Sequence, residues 1–240
     1  MKRVLIVNAD DFGRSREINR GVALAHDRGI VTSASAMVRW PAADEAANLA
    51  AERPNLGVGL HVDLSEWVYQ NGEWRAVYEV VPEDPAAVTA ETEAQVARFE
   101  ALFGRAPTHL DSHQHAHRRE PARSALLSCG RTLGIPVRAC APGIEYRGDF
   151  YGQAERGEPL PEAISVDSLL RLLESLPAGV TELSCHPSVE GASESSYARE
   201  RPQELETLCD PRVRAAIEAE GIELRSFAGL WTKAGDTRPS

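Results

Sequence analysis

Four of the seven histidines in this 240-residue chain fall within one stretch, Thr108-His109-Leu110-Asp111-Ser112-His113-Gln114-His115-Ala116-His117. From His109 to His117 every second position is an imidazole or the carboxylate of Asp111. If the first half is a strand, those side chains share one face, because strand side chains alternate with a period of two. Imidazoles crowded together with a carboxylate are metal-ligand chemistry. A solvated His-rich turn would have the same composition. Against that reading, Arg105-Ala106-Pro107 and Leu110 read as the approach to a buried strand. A metal centre usually draws ligands from distant parts of the chain. The other carriers of such chemistry are the pair Asp10-Asp11, His61, and His186 between Cys185 and Pro187.

Something must position these groups, and the periodicity says what. Apolar strands are expected at 4–8, 30–38, 57–62, 108–111, 137–140, 180–185 and 222–226. Helices are expected after Ser15 as an N-cap, over 42–52, 92–103 and 120–133, from Val166 to Leu173, and near 213–219. Such alternation predicts an α/β fold with a parallel sheet. Seven units favour a TIM-like (β/α) barrel, irregular or seven-stranded, in a single domain over 1–240. Ligands of such folds collect at the carboxyl ends of the strands. There the chain places Asn8-Ala9-Asp10-Asp11-Phe12-Gly13, Gly59-Leu60-His61, Asp111-Ser112-His113, Arg138 and Ser184-Cys185-His186-Pro187. Two connections, 63–90 and 141–164, are longer than the fold requires. They carry Trp67, Tyr69, Trp74 and Tyr78, and Tyr146, Phe150 and Tyr151. Long loops in a compact domain are lids or binding loops. Their aromatics either stack on sugar rings or pack the loops onto the barrel.

Composition narrows the class. The net charge of −10 argues against nucleic acid, where a basic face would be needed to meet phosphates, and it fits poorly with an anionic membrane surface. No apolar run approaches the ~20 residues of a membrane span. The apolar run at the N-terminus meets Asn8 too soon for a signal peptide. Cys129, Cys140, Cys185 and Cys209 are scattered, as reduced thiols of a cytoplasmic protein would be. A homodimer is compatible with all of this.

Taken together, Asn-Ala-Asp-Asp-Phe-Gly, Gly-Leu-His, the Thr108–His117 tract and Cys-His-Pro resemble the YdjC-like carbohydrate deacetylases. So does the later pattern Tyr197-x-Arg199-x-x-x-Pro202-x-Glu204-x-x-x-Leu208. That family includes chitooligosaccharide deacetylases and hopanoid-associated HpnK-type members. The chain departs from it after His61, where its connection is short and bears Trp and Tyr, and this leaves the substrate open. The resemblance implies a metal-dependent hydrolase that removes an N-acetyl group from an amino sugar or N-acetylated oligosaccharide. It carries the metal ligands over to Asp11, His61 and His113, holding one divalent ion: magnesium or zinc, with cobalt and nickel also admitted. Two imidazoles and one carboxylate leave coordination positions open, as a catalytic ion needs. Asp10 is then the candidate general base, oriented by Arg138, and His186 the acid that protonates the leaving amine. Asp111, His115 and His117 support the ligands or touch substrate. The same donors would also serve a phosphoesterase or, with iron, an oxygenase. A phosphoesterase wants several cations at the rim, where only Arg138 and Arg118-Arg119 offer themselves. A metal-bound sugar-binding or regulatory protein without activity would need neither Asp10 nor His186.

Overall fold

The computed structural model describes residues 2–81, 83–190 and 196–230. In chain order its elements are β1 (Arg3–Phe12), α1 (Arg16–Asp27), β2 (Ser33–Ala36), α2 (Ala43–Ala51), β3 (Gly57–Val62), β4 (Ser65–Gln70), β5 (Glu73–Glu79) and α3 (Pro85–Phe103). They continue with β6 (Leu110–Ser112), a 3₁₀ segment (His113–Arg118), α4 (Ala122–Leu133), β7 (Ile144–Arg147), α5 (Val166–Glu174), β8 (Gly179–Cys185), α6 (Glu200–Leu208), α7 (Pro211–Ala219), β9 (Ile222–Leu224) and α8 (Phe227–Leu230).

Strand β1 is the axis. Its residues from Leu5 to Phe12 are buried on both faces, as a central parallel strand must be. Around it runs a parallel sheet in the order β6-β3-β2-β1-β8-β7, with β9 pairing the start of β1. The sheet curls toward closure through a single bridge, Leu110 to Val137. There Pro136 O accepts from Leu110 N–H, and Leu110 O from Arg138 N–H, each at 2.9 Å. The result is an incomplete (β/α) barrel of seven strands.

One of the seven differs from expectation. Residues 137–140 make only that bridge, because Ala139 turns left-handed at φ 56° and ends the pairing. The strand beside β8 is β7 instead, from the connection expected to be a loop. Connection 63–90 also has structure: β4 and β5 form an antiparallel hairpin turned by Asn71-Gly72, both at positive φ, a pair suited to tight hairpins. Helix α3 starts at Pro85, earlier than expected, with Asp84 accepting from Ala87 N–H at its N-cap. Ser15 caps α1 as expected, accepting from Ile18 N–H at 3.3 Å.

His109 belongs to the core. Its ring stacks on Phe227, centroids 3.9 Å apart, and burial pushes its pKa down to about 4. Gly59 makes room for it, since a Cβ there would lie 2.4 Å from the ring. Gly59→Ala should therefore cost about 1–3 kcal/mol as an overpacking substitution. A urea-denaturation midpoint equal to that of the parent protein would show that the ring does not lie over Gly59.

Candidate metal centre and cleft

Adjacent strand residues normally face opposite sides, yet Asp10 and Asp11 reach the same space. The pairing of β1 with β2 shifts register between Ala9 and Phe12, and Asp11 takes a left-handed φ of 66°. Asp is among the residues that tolerate this conformation, and such backbone strain clusters at functional sites.

Asp11 Oδ1 lies 3.4 Å from His61 Nε2 and 3.3 Å from His113 Nδ1. It is buried and has no hydrogen-bond partner. Asp11 Oδ2 accepts from Arg201. His61 Nδ1–H donates to Asp111 Oδ1 at 2.8 Å, which aims Nε2 at Asp11. His113 turns its Nε2 toward Glu66, 3.7 Å away, and Arg14, 3.4 Å away. Three donor atoms from β1, β3 and the end of β6 thus face one another, and these residues could hold a metal ion. The orphaned Asp11 oxygen fits such an ion, since buried acceptors are otherwise almost always satisfied.

The charge balance agrees. Burial disfavours the imidazolium of His61, but Asp111 and Asp11 outweigh it and push the pKa up to about 10. For His113, burial is likewise outweighed by Asp11 and Glu66, and the shift is upward. Burial would raise Asp11, yet Arg201 and the histidines hold it well below the usual carboxylate range. The space demands positive charge, which a cation supplies by replacing protons on its ligands.

Behind this cluster sits the fully buried Arg138. Its Nη1 and Nη2 each donate to Asp10 at 2.6 Å, Nη2 reaches Asp111 at 2.7 Å, and Nε donates to Glu182 at 2.6 Å. Asp10 is lowered in pKa because the guanidinium overcomes the burial that would raise it. Burial pushes Glu182 up to about 7. Ser35 Oγ donates to Asp111 at 2.6 Å and accepts from Asn8 Nδ2, so the carboxylate that faces His61 Nδ1 is held on several sides.

His186 follows β8, with Nε2 3.9 Å from Asp10 Oδ2 and Nδ1 3.7 Å from Glu204 Oε1. Glu204 accepts from the His186 backbone N–H and, at 2.5 Å, from the Tyr197 hydroxyl. Tyr151 stacks on Tyr197 and sets its ring against the edge of His186.

Asp10, Asp11, His61, Asp111, His113, Arg138 and His186 therefore lie together around one space. His115 lines the cleft beside Tyr146, whose hydroxyl is 3.3 Å from its Nε2. His117 does not: it is buried, with Nδ1 2.7 Å from Ser112 Oγ. Period-two alternation ends at Ser112, where the chain enters the 3₁₀ segment and Gln114 and His115 turn left-handed. Arg14, Glu66 and Arg201 carried no recognisable signal in the sequence. Arg201 and Glu204 share a face of α6 at i, i+3, but that buried face is polar, so no apolar stripe marked a helix there.

The cluster floors a cleft of about 820 Å³, within the range of small-molecule sites. Trp67 and Trp74 of the hairpin line one part of it, and Tyr146, Tyr151 and Tyr197 another.

The sequence matches the YdjC-like protein family over residues 4–219. It is 34% identical over 249 residues to a carbohydrate deacetylase of Geobacillus stearothermophilus, covering 95% of this chain and 98% of that one. It is also 34% identical to a chitooligosaccharide deacetylase of Serratia marcescens, covering 96% and 100%. A crystal structure from Enterococcus faecalis V583, of a candidate cellobiose-phosphate cleavage protein, superposes with a TM-score of 0.80 at 27% identity, covering 97% and 100%. With a family match across nearly the whole described chain and relatives this similar end to end, the chain belongs to the YdjC-like family.

Proposed function

We propose that this protein is a metal-dependent hydrolase that removes the acetyl group from an N-acetylated amino sugar or oligosaccharide. The observation that carries the reading is the unpartnered Asp11 oxygen facing His61 and His113, with Asp10 and His186 on the same space. The names of the relatives, carbohydrate and chitooligosaccharide deacetylases, support the substrate class.

In this reading Asp11, His61 and His113 hold one divalent ion. Bound there, the ion supplies Lewis acidity toward a carbonyl oxygen and a water. Asp10 takes the proton of the attacking water. It is kept anionic and aimed by the two hydrogen bonds from Arg138. His186, held by its backbone to Glu204, gives a proton to the departing nitrogen. Nitrogen and oxygen donors admit magnesium or zinc, and cobalt or nickel. Four free cysteines support a cytoplasmic setting, and among the described residues no helix is long and apolar enough to cross a membrane.

A phosphoesterase is less well supported. The guanidiniums nearest the cluster are already committed: Arg14 to Glu66, Arg138 to three carboxylates and Arg201 to Asp11.

The test is metal content beside turnover. The protein should bind an equimolar divalent ion by calorimetry and release acetate from N-acetylated chito-oligosaccharides. Chelation should abolish that release, and metal should restore it. His113→Ala should lose both binding and turnover. Full activity in protein shown metal-free by elemental analysis would overturn the proposal.

A further inference from the structure

The hairpin β4–β5 stands apart from the barrel: its two strands pair only with each other. At its base it is anchored by Tyr78, whose hydroxyl donates to Asp63 at 2.8 Å and whose ring meets the edge of Trp40. Further out the Arg156 guanidinium lies over the Tyr69 ring, 5.3 Å from its centroid, and the backbone is held by Gln114. The Gln114 amide takes both backbone groups of Trp67, accepting from its N–H and donating to its C=O, each at 2.8 Å. It does for Trp67 what a neighbouring strand would do. Gln114 follows the ligand candidate His113 directly and sits at a φ of 47°, a left-handed conformation that aims it out of the barrel rim. The residue before Trp67, Glu66, reaches back to Arg14 at 2.5 Å and faces His113. The height of the hairpin over the cluster is thus set through the residues on either side of one peptide bond, His113 and Gln114.

The aromatics of the hairpin divide by burial. Tyr78 packs at the base, and its burial and Asp63 together push its pKa upward. Trp67 and Trp74 are only partly covered. They are 38% and 53% exposed, and both line the cleft. Tyr69 and Trp74 are direct cross-strand partners with rings 5.5 Å apart, and Trp67 is two residues before Tyr69, so alternation puts all three on one face. Across the cleft stand Tyr146 and Tyr151. Indoles left this exposed beside a cleft are placed to cover a ligand that enters it.

We propose that Gln114 is the positioning residue that holds this face of the hairpin in register with the metal centre, and that Trp67 and Trp74 on that face carry the sugar units beyond the one that is deacetylated. This rests on the proposed deacetylase reading. Pyranose rings present flat C–H faces that cover an indole, while their hydroxyls stay in water. The cleft is large enough for more than one such ring beside the cluster.

The experiment compares N-acetylglucosamine with its β-1,4 tetramer in the parent protein and in Trp74→Ala, Trp67→Phe, Gln114→Ala and Gln114→Glu. The ratio of kcat/KM for tetramer to that for monomer should fall about tenfold in Trp74→Ala and Gln114→Ala, carried by KM for the tetramer. Gln114→Glu should fall between Gln114→Ala and the parent, because its carboxylate still accepts from Trp67 N–H but offers nothing to Trp67 C=O. Trp67→Phe should keep most of the preference, since a flat ring remains. Metal stoichiometry should not change in any of the four. Equal losses on monomer and tetramer would overturn the platform, as would an unchanged ratio. A lowered kcat with reduced metal binding in Gln114→Ala would overturn its positioning role and assign it to His113 alone. If the parent releases no acetate from either sugar, the proposed reaction fails. Quenching of tryptophan fluorescence by the tetramer, lost in Trp74→Ala, then decides the platform independently.

Discussion

Asp10→Asn should lower kcat for acetate release by about 10²–10⁴, the range typical of one general base, with no rescue by excess metal. The side chain would still occupy its place against Arg138, since an amide oxygen keeps one of the two acceptors the guanidinium uses. It could not take a proton. Metal titration by calorimetry should show an unchanged stoichiometry, and circular dichroism an unchanged fold. Asp11→Asn is expected to behave differently although it is the next residue. It removes the charge at the oxygen that faces His61 and His113, so affinity should drop and activity should return in part at high metal concentration. The pair is diagnostic. If Asp10→Asn empties the site and Asp11→Asn leaves it filled, the two proposed roles are exchanged. If both keep metal and rate, the carboxylates take no part in the reaction.

The second large effect is on stability. Arg138→Met would leave Asp10, Asp111 and Glu182 buried around an apolar side chain. Removing one partner from a buried ionic cluster costs about 3–5 kcal/mol, because the remaining charges lose their compensation. The loss should depend on pH, and the sign follows from linkage. Without the guanidinium the three carboxyls have folded-state pKa values above those of the unfolded chain, with Glu182 already pushed up to about 7 beside it. A group raised in this way destabilises the fold as pH climbs through the folded value and stops doing so once protonated. The gap between parent and variant should therefore be wide near about pH 8 and narrow toward about pH 5 when urea denaturation is run at both. Arg138→Lys should fall between them, keeping the charge but losing the fork that spans two carboxylates. A gap that is the same at both pH values would mean that packing, not charge, is what Arg138 contributes.

How much of this was legible beforehand follows a physical division. Local pattern was sufficient where a residue's role depends on its neighbours in sequence. Ser15 caps α1, Gly57–Val62 is a strand, and the apolar spacing of α5 marks a helix. The carboxyl ends of β1, β3, β6 and β8 are places where a parallel sheet puts its chemistry, so Asp11, His61, His113 and His186 were recognisable one by one as strand-end residues. The fold class followed from the strand–helix alternation for the same reason. The sequence alone also held the Asn71-Gly72 turn, although the connection around it reads as a loop because β4 and β5 have no buried side to give them a clean alternation.

Other features were decided by contacts between residues far apart in the chain. Strand alternation would send Asp10 and Asp11 to opposite faces, and only the shifted register against β2 and the left-handed turn at Asp11 bring both to one space. Residues 137–140 have the apolar look of a strand, but Ala139 breaks the ladder, and β7 finds its partner in β8 instead. Helix α6 buries Arg201 and Glu204, whose partners Asp11, Tyr197 and His186 come from other elements, so its inner face is polar and invisible to hydrophobic periodicity. Ion pairs and backbone turns of this kind depend on where the fold brings each group's partner, and one residue's type does not contain that information. Hence the candidate donor residues could be named along the chain, whereas the choice of which oxygen of Asp11 stays free, and which imidazole nitrogen faces it, belongs to the tertiary structure through Arg201, Asp111 and Glu66.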